Sequence, residues 1–468
     1  MGHIRFDDDA DDEGMSGGAG APPASTSYAA PAAAALPGPP STSYAAPAAV
    51  ALPGPPSILA AAAGGMRLPQ CCGSARVDFN FSNPCYVFRV APNQATGLVA
   101  ASVSNHTIKL YQPSGPQLSL VGELRGHTGT ITDLAFCGTS QPALVMSSSA
   151  DGSVAAWDVR SGQQTERYQV RGQDVFSFSS LEHVLAAGTT GEVVFWDRRG
   201  GKQLAKLDDT HAEDVTQVRF HSSGQVLSGS TDGLIAVHDV SKSFNDDDVF
   251  QAAININNSV EEFGLYGADG GRLWVRTGTE SMHLWEWLRA TNEEVAGGDM
   301  QFAEFANARL TASQACAASA AAPMLPQVDY LVGCHYDSPT NQLFLLAGHN
   351  DGPIAFLPIV EQQGPQGAMA AAALACPVMA LAGGHSSIVR SAQCLEGAGG
   401  NGPFCVTGGE DALVCLWTLD GGGAAAAAAA DAPLPGPPPL RRVSPGPERQ
   451  HQQQQEKQAG RNRRPSPY

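Results

Sequence analysis

His127, Ser149 and Asp151 lie close together in the chain and are the three residue types of a hydrolytic triad. In that chemistry a histidine takes the serine proton while a carboxylate fixes the imidazole tautomer. The surrounding residues argue against it. No G-x-S-x-G elbow and no oxyanion-type loop accompanies Ser149, which sits in SSSADGSVAAWDVR (147–160). The other sites of chemistry are equally bare. There is no phosphate-binding loop, no dinucleotide fingerprint, no C-x-x-C pair and no Cys/His spacing for zinc. GADGGR (267–272) has the composition of a hairpin turn rather than a phosphate cradle. The expectation is no catalytic residue, no metal and no cofactor.

The element carrying Ser149 and Asp151 recurs. Short β-type runs separated by turn signals extend from about residue 76 to about 420. Seven of them align on an aromatic or equivalent position: Tyr111, Trp157, Trp196, His238, Trp285, Leu357 and Trp417. Four of the six intervals lie near the ~40–45-residue period of a four-stranded propeller blade. The two longer ones contain Ala- and Gln-rich stretches, 288–327 and 361–377, expected as inserts. GHTGTITDLAF (126–136), THAEDVTQVRF (210–220) and GGHSSIVRSAQC (383–394) precede three of the runs. Their apolar residues fall three and then two apart, so a β-bulge is expected where each strand begins.

Together these features resemble the WD40 repeat family. HAEDVTQVRFHSSGQVLSGSTDGLIAVHDV (211–240) and DYLVGCHYDSPTNQLFLLAGHNDG (329–352) are similar, within it, to the WD repeat-containing protein 89 family. The resemblance implies an all-β fold, a seven-bladed propeller over 76–420, and a non-enzymatic protein-binding scaffold. The last unit ends at Leu419 without a fourth strand, so ARVDFNF (75–81) is expected to complete it and close the ring. By the same resemblance His127, Ser149, Asp151 and Trp157 form a structural hydrogen-bond tetrad, the one complete set. His211, Ser230 and Asp232 would lack the tryptophan, and His385, Asp411 and Trp417 the serine. A binding rim is implied at Thr130, Asp174, Asp214 and Ile388, with Arg390 beside them. Its second row is Ala150, Thr231, Asn350 and Glu410. WDVR (157–160) and WDRR (196–199) resemble the W-D-x-R motif of ubiquitin-ligase substrate receptors, which would place Asp158, Arg160, Asp197 and Arg199 against a ligase adaptor.

The ends of the chain read differently. STSYAAPAAAALPGPP (25–40) repeats almost unchanged at 41–56, too poor in apolar surface to offset the entropy of ordering it. Residues 1–75 and 421–468 are therefore expected to be disordered. DDDADDE (7–13) counts against a transit peptide, which would be poor in acids. The formal net charge of −18 makes direct nucleic-acid binding unfavourable, although the last 28 residues carry six arginines, and an RNA-associated or ribosome-assembly role is the remaining alternative. RRVSPGP (441–447) and RRPSPY (463–468) offer Ser-Pro sites for phosphorylation. Ten scattered cysteines without a secretory signal point to reduced, mostly buried thiols in an intracellular protein of the cytoplasm, the nucleus or both. No stretch reads as a membrane span. The expected state is a monomeric propeller within a complex.

Overall fold

Strand Ser153–Asp158 shows how one blade is made. Val154 and Ala156 enter the apolar layer shared with the following blade, while Ala155 and Trp157 enter the layer shared with the preceding one. Both faces of the sheet are covered, so SVAAWD reads as a nearly continuous apolar run rather than a clean alternation. The hairpin before it turns at Asp151-Gly152. Gly152 has φ +80°, and a Cβ there would lie 2.6 Å from the Val170 carbonyl oxygen, so glycine is required.

The computed structural model describes residues 66–78, 85–114, 117–138, 141–244, 246–291, 300–364, 368–395 and 403–419. Of the disorder expected over 1–75 and 421–468, residues 1–65 and 421–468 lie outside the described residues, while Cys71–Arg76 is an ordered strand, so the first expected boundary falls too late. The strands form seven antiparallel sheets. Blade I spans residues 87–125, II 131–169, III 177–207, IV 217–255, V 260–305 and VI 330–381. Blade VII takes three strands from 389–418 and its fourth from Cys71–Arg76. The first strands of neighbouring blades lie against one another all round the ring, which places them at the axis. Among the described residues there is one apolar cluster in each gap between blades, seven in all. The architecture is a seven-bladed β-propeller.

The closing strand is shifted from the expected segment. It is Cys71–Arg76, pairing with Leu413–Thr418, rather than 75–81. Arg67 extends the seam by a parallel bridge to Met379 and by a 3.2 Å hydrogen bond to the Leu419 carbonyl oxygen. Of the three expected bulges, those at Ile131/Asp133 and Val389/Ser391 are present, whereas Gln217–Phe220 pairs with Gln225–Gly229 without a register shift. Further bulges lie at Val87/Arg89, Val260/Glu262 and Leu331/Gly333.

The stretches expected as inserts supply blade strands. Gln301–Phe305 is the fourth strand of blade V, and helix Ala308–Ala317 buries Ala308, Ala312 and Cys316 between blades V and VI. Met369–Leu374 and Met379–Leu381 together pair along Ile354–Gln363 as a broken fourth strand of blade VI. GADGGR joins Val260–Tyr266 to Arg272–Thr277 as a hairpin turn, as its composition suggests. All ten cysteines are free, but only Cys316, Cys405 and Cys415 are fully buried, fewer than expected.

Candidate protein-binding faces

The turn carrying Asp151 is pinned to the loop before its own blade. Asp151 Oδ2 accepts from the Thr128 N–H at 3.0 Å and pairs with His127 Nδ1 at 2.9 Å. Its Oδ1 accepts from the Ser153 N–H at 3.1 Å. The ring's other nitrogen, Nε2, lies 2.8 Å from Ser147 Oγ, and the same oxygen accepts the Trp157 indole N–H at 2.9 Å. The hydroxyl of the tetrad is therefore Ser147. Ser149 Oγ instead accepts the Asp151 N–H at 3.1 Å and closes the tight turn.

The tetrad is not confined to this blade. In blade VII His385 Nε2 lies 2.7 Å from Thr407 Oγ1, which accepts the Trp417 indole N–H at 2.8 Å, and Asp411 pairs with His385 Nδ1 at 3.0 Å. Threonine does the work expected of serine, so this set is complete too. In blade IV His211 bridges Ser228 at 2.9 Å and Asp232 at 3.2 Å. Ser228, not Ser230, is the hydroxyl there. His238, at the tryptophan position, reaches Thr210 Oγ1 at 3.3 Å instead.

Asp151, His127 and Ser147 stand in the atomic order of a catalytic triad, yet nothing can reach the hydroxyl. Ser147 is fully buried and His127 nearly so. Burial pushes the His127 imidazole pKa down despite the opposing pull of Asp151, which keeps the ring neutral. Burial alone would raise the Asp151 carboxyl, but Ser153, the Thr128 N–H and His127 hold it at about 2. The array is a satisfied internal network that fastens two loops together.

That fastening sets the rim. In blades II, IV and VII the backbone carbonyl where the first strand begins accepts from the residue before the turn aspartate. Ala150 N–H donates to Thr130 at 2.9 Å, Thr231 N–H to Asp214 at 3.0 Å, and Glu410 N–H to Ile388 at 2.9 Å. Asn350 N–H donates to Asp329 Oδ2 at 2.9 Å. Thr130, Asp174, Asn350 and Arg390 are exposed, whereas Asp214, Thr231, Ile388 and Glu410 are half-buried. Arg390 Nε donates to Glu410 Oε1 at 2.7 Å. Because strands alternate in direction, all these residues lie on one face, the upper face.

Arg160 and Arg199 lie on the other. Each follows the end of its blade's third strand, opposite the aspartate turn. Arg160 Nε reaches Asp158 Oδ1 at 3.2 Å and Arg199 Nη2 reaches Asp197 Oδ2 at 2.8 Å, with the two arginine side chains 79% and 69% exposed. The two proposed interaction sites are thus on opposite faces of the disc.

Two stretches, 118–158 and 201–239, match the WD domain, G-beta repeat model of WD40. Each runs from the last strand of one blade to the third strand of the next, the offset that a ring closed by its own N-terminal strand demands. The chain is also 33% identical over 354 residues to "WD repeat-containing protein GTS1" of Arabidopsis thaliana, covering 74% of this chain and 83% of that protein. The chain belongs to the WD40-repeat family. A "WD repeat-containing protein 89 homolog" of Dictyostelium discoideum is 30% identical over 280 residues, covering 59% of this WD40 protein and 71% of the relative. WD40 propellers are in general non-enzymatic scaffolds for protein interaction, and that is the class the fold and the relatives support here.

Residue reasoning missed the axis of the propeller. Arg89, Asp133 and Glu262 each follow a bulge, and Arg219 and Arg276 join them. They come from five separate strands, so no local motif marks them. The one available signal is that Arg89, Asp133 and Glu262 share a place just after the bulge.

Proposed function

We propose that this WD40 protein presents the upper rim to a protein partner, through Thr130, Asp174, Asp214, Thr231, Asn350, Ile388, Arg390 and Glu410. The observation that carries this reading is the backbone tie, repeated in blades II, IV and VII, between the start of the first strand and the turn before the aspartate. It fixes side chains of several blades on one rigid platform, so a partner can be engaged with little ordering cost. The surface offered is acidic to mixed, with Ile388 as its apolar member. A single chain closes its own ring, and the working unit is taken as one propeller within a larger complex. Charge reversal Asp214→Arg combined with Ile388→Ala should leave the circular dichroism spectrum and melting temperature intact and deplete partners recovered by affinity purification. An unchanged partner set would remove the rim assignment.

The exposure of Arg160 and Arg199 on the lower face supports a second reading, a substrate receptor docking to a ubiquitin-ligase adaptor. Co-precipitation of such an adaptor, lost in Arg160→Ala/Arg199→Ala and kept in the rim double variant, would favour it. Absence of any adaptor would dismiss it.

A further inference from the structure

The lower end of the propeller axis opens into a cavity of about 400 Å3, lined by the ends of the first strands of blades I, II and VII. Four charged residues face it: Arg89, Asp133, Arg219 and Glu262. Their pairing is uneven. Glu262 serves two guanidiniums at once, Arg89 through Oε1 at 3.1 Å and Arg276 through Oε2 at 3.4 Å. Asp133 meets Arg219 only at 3.5 Å, while its Oδ1 accepts from the Leu134 N–H at 2.9 Å. Three guanidiniums therefore share two carboxylates.

The arginines also keep donors in reserve. Among the described residues, the hydrogen bonds of Arg89 and of Arg219 run through Nη1 alone. Their side chains are 36% and 35% exposed, so solvent or a ligand reaches them from the cavity. A guanidinium carries its five N–H donors in a planar fork that matches carboxylate and phosphate oxygens. The volume is within the range of small-molecule sites and too small for a folded partner.

We propose that this cavity binds a small oxyanion, a molecule presenting carboxylate or phosphate oxygens to Arg89 and Arg219. The ligand supplies the negative charge that the shared carboxylates leave unmet. Asn93, Gln94 and Gln393, which also line the cavity, add neutral polar groups around its rim. This site is on the face opposite the proposed rim and does not depend on that assignment.

The test is thermal unfolding of the full chain titrated with succinate, inorganic phosphate or the neutral amide succinamide, at constant ionic strength. At least one anion should raise the melting temperature saturably, and succinamide should not. A response to phosphate alone or to succinate alone identifies which oxyanion class is preferred. Arg219→Gln should raise the half-saturating concentration at least tenfold. Gln393→Glu places a negative charge at the exposed mouth without touching the ion pairs and should do the same, which keeps the test decisive if Arg219→Gln fails to fold. No saturable response to either anion, an equal response to succinamide, or an unaltered titration in Gln393→Glu would overturn the proposal.

Discussion

Arg89 of blade I reaches Glu262 of blade V across the propeller axis, Nη1 to Oε1 at 3.1 Å. Arg219 of blade IV likewise reaches Asp133 of blade II. These ties join blades that are not neighbours, so they brace the ring from inside independently of the seam that closes it outside. Burial opposes ionisation of Glu262, but Arg89 and Arg276 more than offset it and hold its pKa below the ordinary value. Glu262→Gln keeps the shape and removes the charge, leaving two guanidiniums unmatched. With Arg89 about one-third exposed, we expect a loss of about 1–3 kcal/mol, read from the urea midpoint. The sign with pH follows from the lowered pKa. The unfolded chain takes up the proton first, so this stabilisation is present above the ordinary glutamate range and is lost as pH falls through the folded value. The variant should lack that component of the acid slope.

Ser147→Ala and Ser149→Ala separate the two serines that the sequence leaves ambiguous. Removing Ser147 Oγ deprives both the buried His127 ring and the Trp157 indole of a partner. The expected cost is about 2–3 kcal/mol. Ser149→Ala loses one hydrogen bond within a turn that Asp151 continues to hold, at about 1 kcal/mol or less. Chemical denaturation of the two variants reads the difference, and equal losses would refute the assignment of Ser147.

The number and kind of blades were legible because each repeat carries its own turn and apolar strand, with an aromatic anchor in all but the repeat that has Leu357 there. The correct hydroxyl was harder, since Ser147 and Ser149 point to the same side of one strand. What decides between them is register: Ser147 pairs with Ala155, Ser228 with Ala236 and Thr407 with Cys415, each two residues before the Trp157, His238 or Trp417 position. Equivalently, the hydroxyl stands four residues before the turn aspartate in all three blades, a spacing the sequence contains. At two residues before it, blade VII has Gly409, which cannot serve. The cross-axis ion pairs had no such local mark, because they join residues from separate blades. The strands inside 288–327 and 361–377 were hidden by composition: alanine and glutamine are weak strand formers, and the sheet edge they pair with supplies the structure.

His238 gives the propeller an acid-sensitive point. It occupies the position of Trp157 and Trp417, is almost wholly buried, and its Nδ1 has no hydrogen-bond partner among the described residues. Burial lowers its pKa to about 4, and the nearby His211 adds to the effect. The unfolded state therefore binds this proton first as pH falls below about 6.5, and stability declines from there down to about pH 4. A shift of that size corresponds to at most about 3 kcal/mol across the window. His238→Trp should flatten this part of the stability profile and place an indole N–H near Ser228. Calorimetric melting at intervals between pH 7 and 4 checks it; an unchanged slope would show that His238 is not the titrating group.

The seam is the point at which a ring of independent blades becomes one molecule. Cys71–Arg76 supplies the outer strand of blade VII, and Cys72 and Ala75 pack onto Val414 and Leu416 in the layer shared with blade I. A chain starting at Met66 retains this strand and the Arg67 hydrogen bond to Leu419. A chain starting at residue 77 loses both and leaves Leu413–Thr418 as an open edge with unpaired backbone groups. The first should match the full chain in melting temperature within a few degrees, because the Pro/Ala repeat it omits offers little apolar surface to bury. The second should melt well below it and associate through the bare edge, visible as higher-mass species by light scattering. Equal melting temperatures and mass for the two truncations would mean that the ring holds without its N-terminal strand, and that the cross-axis pairs suffice to keep it closed.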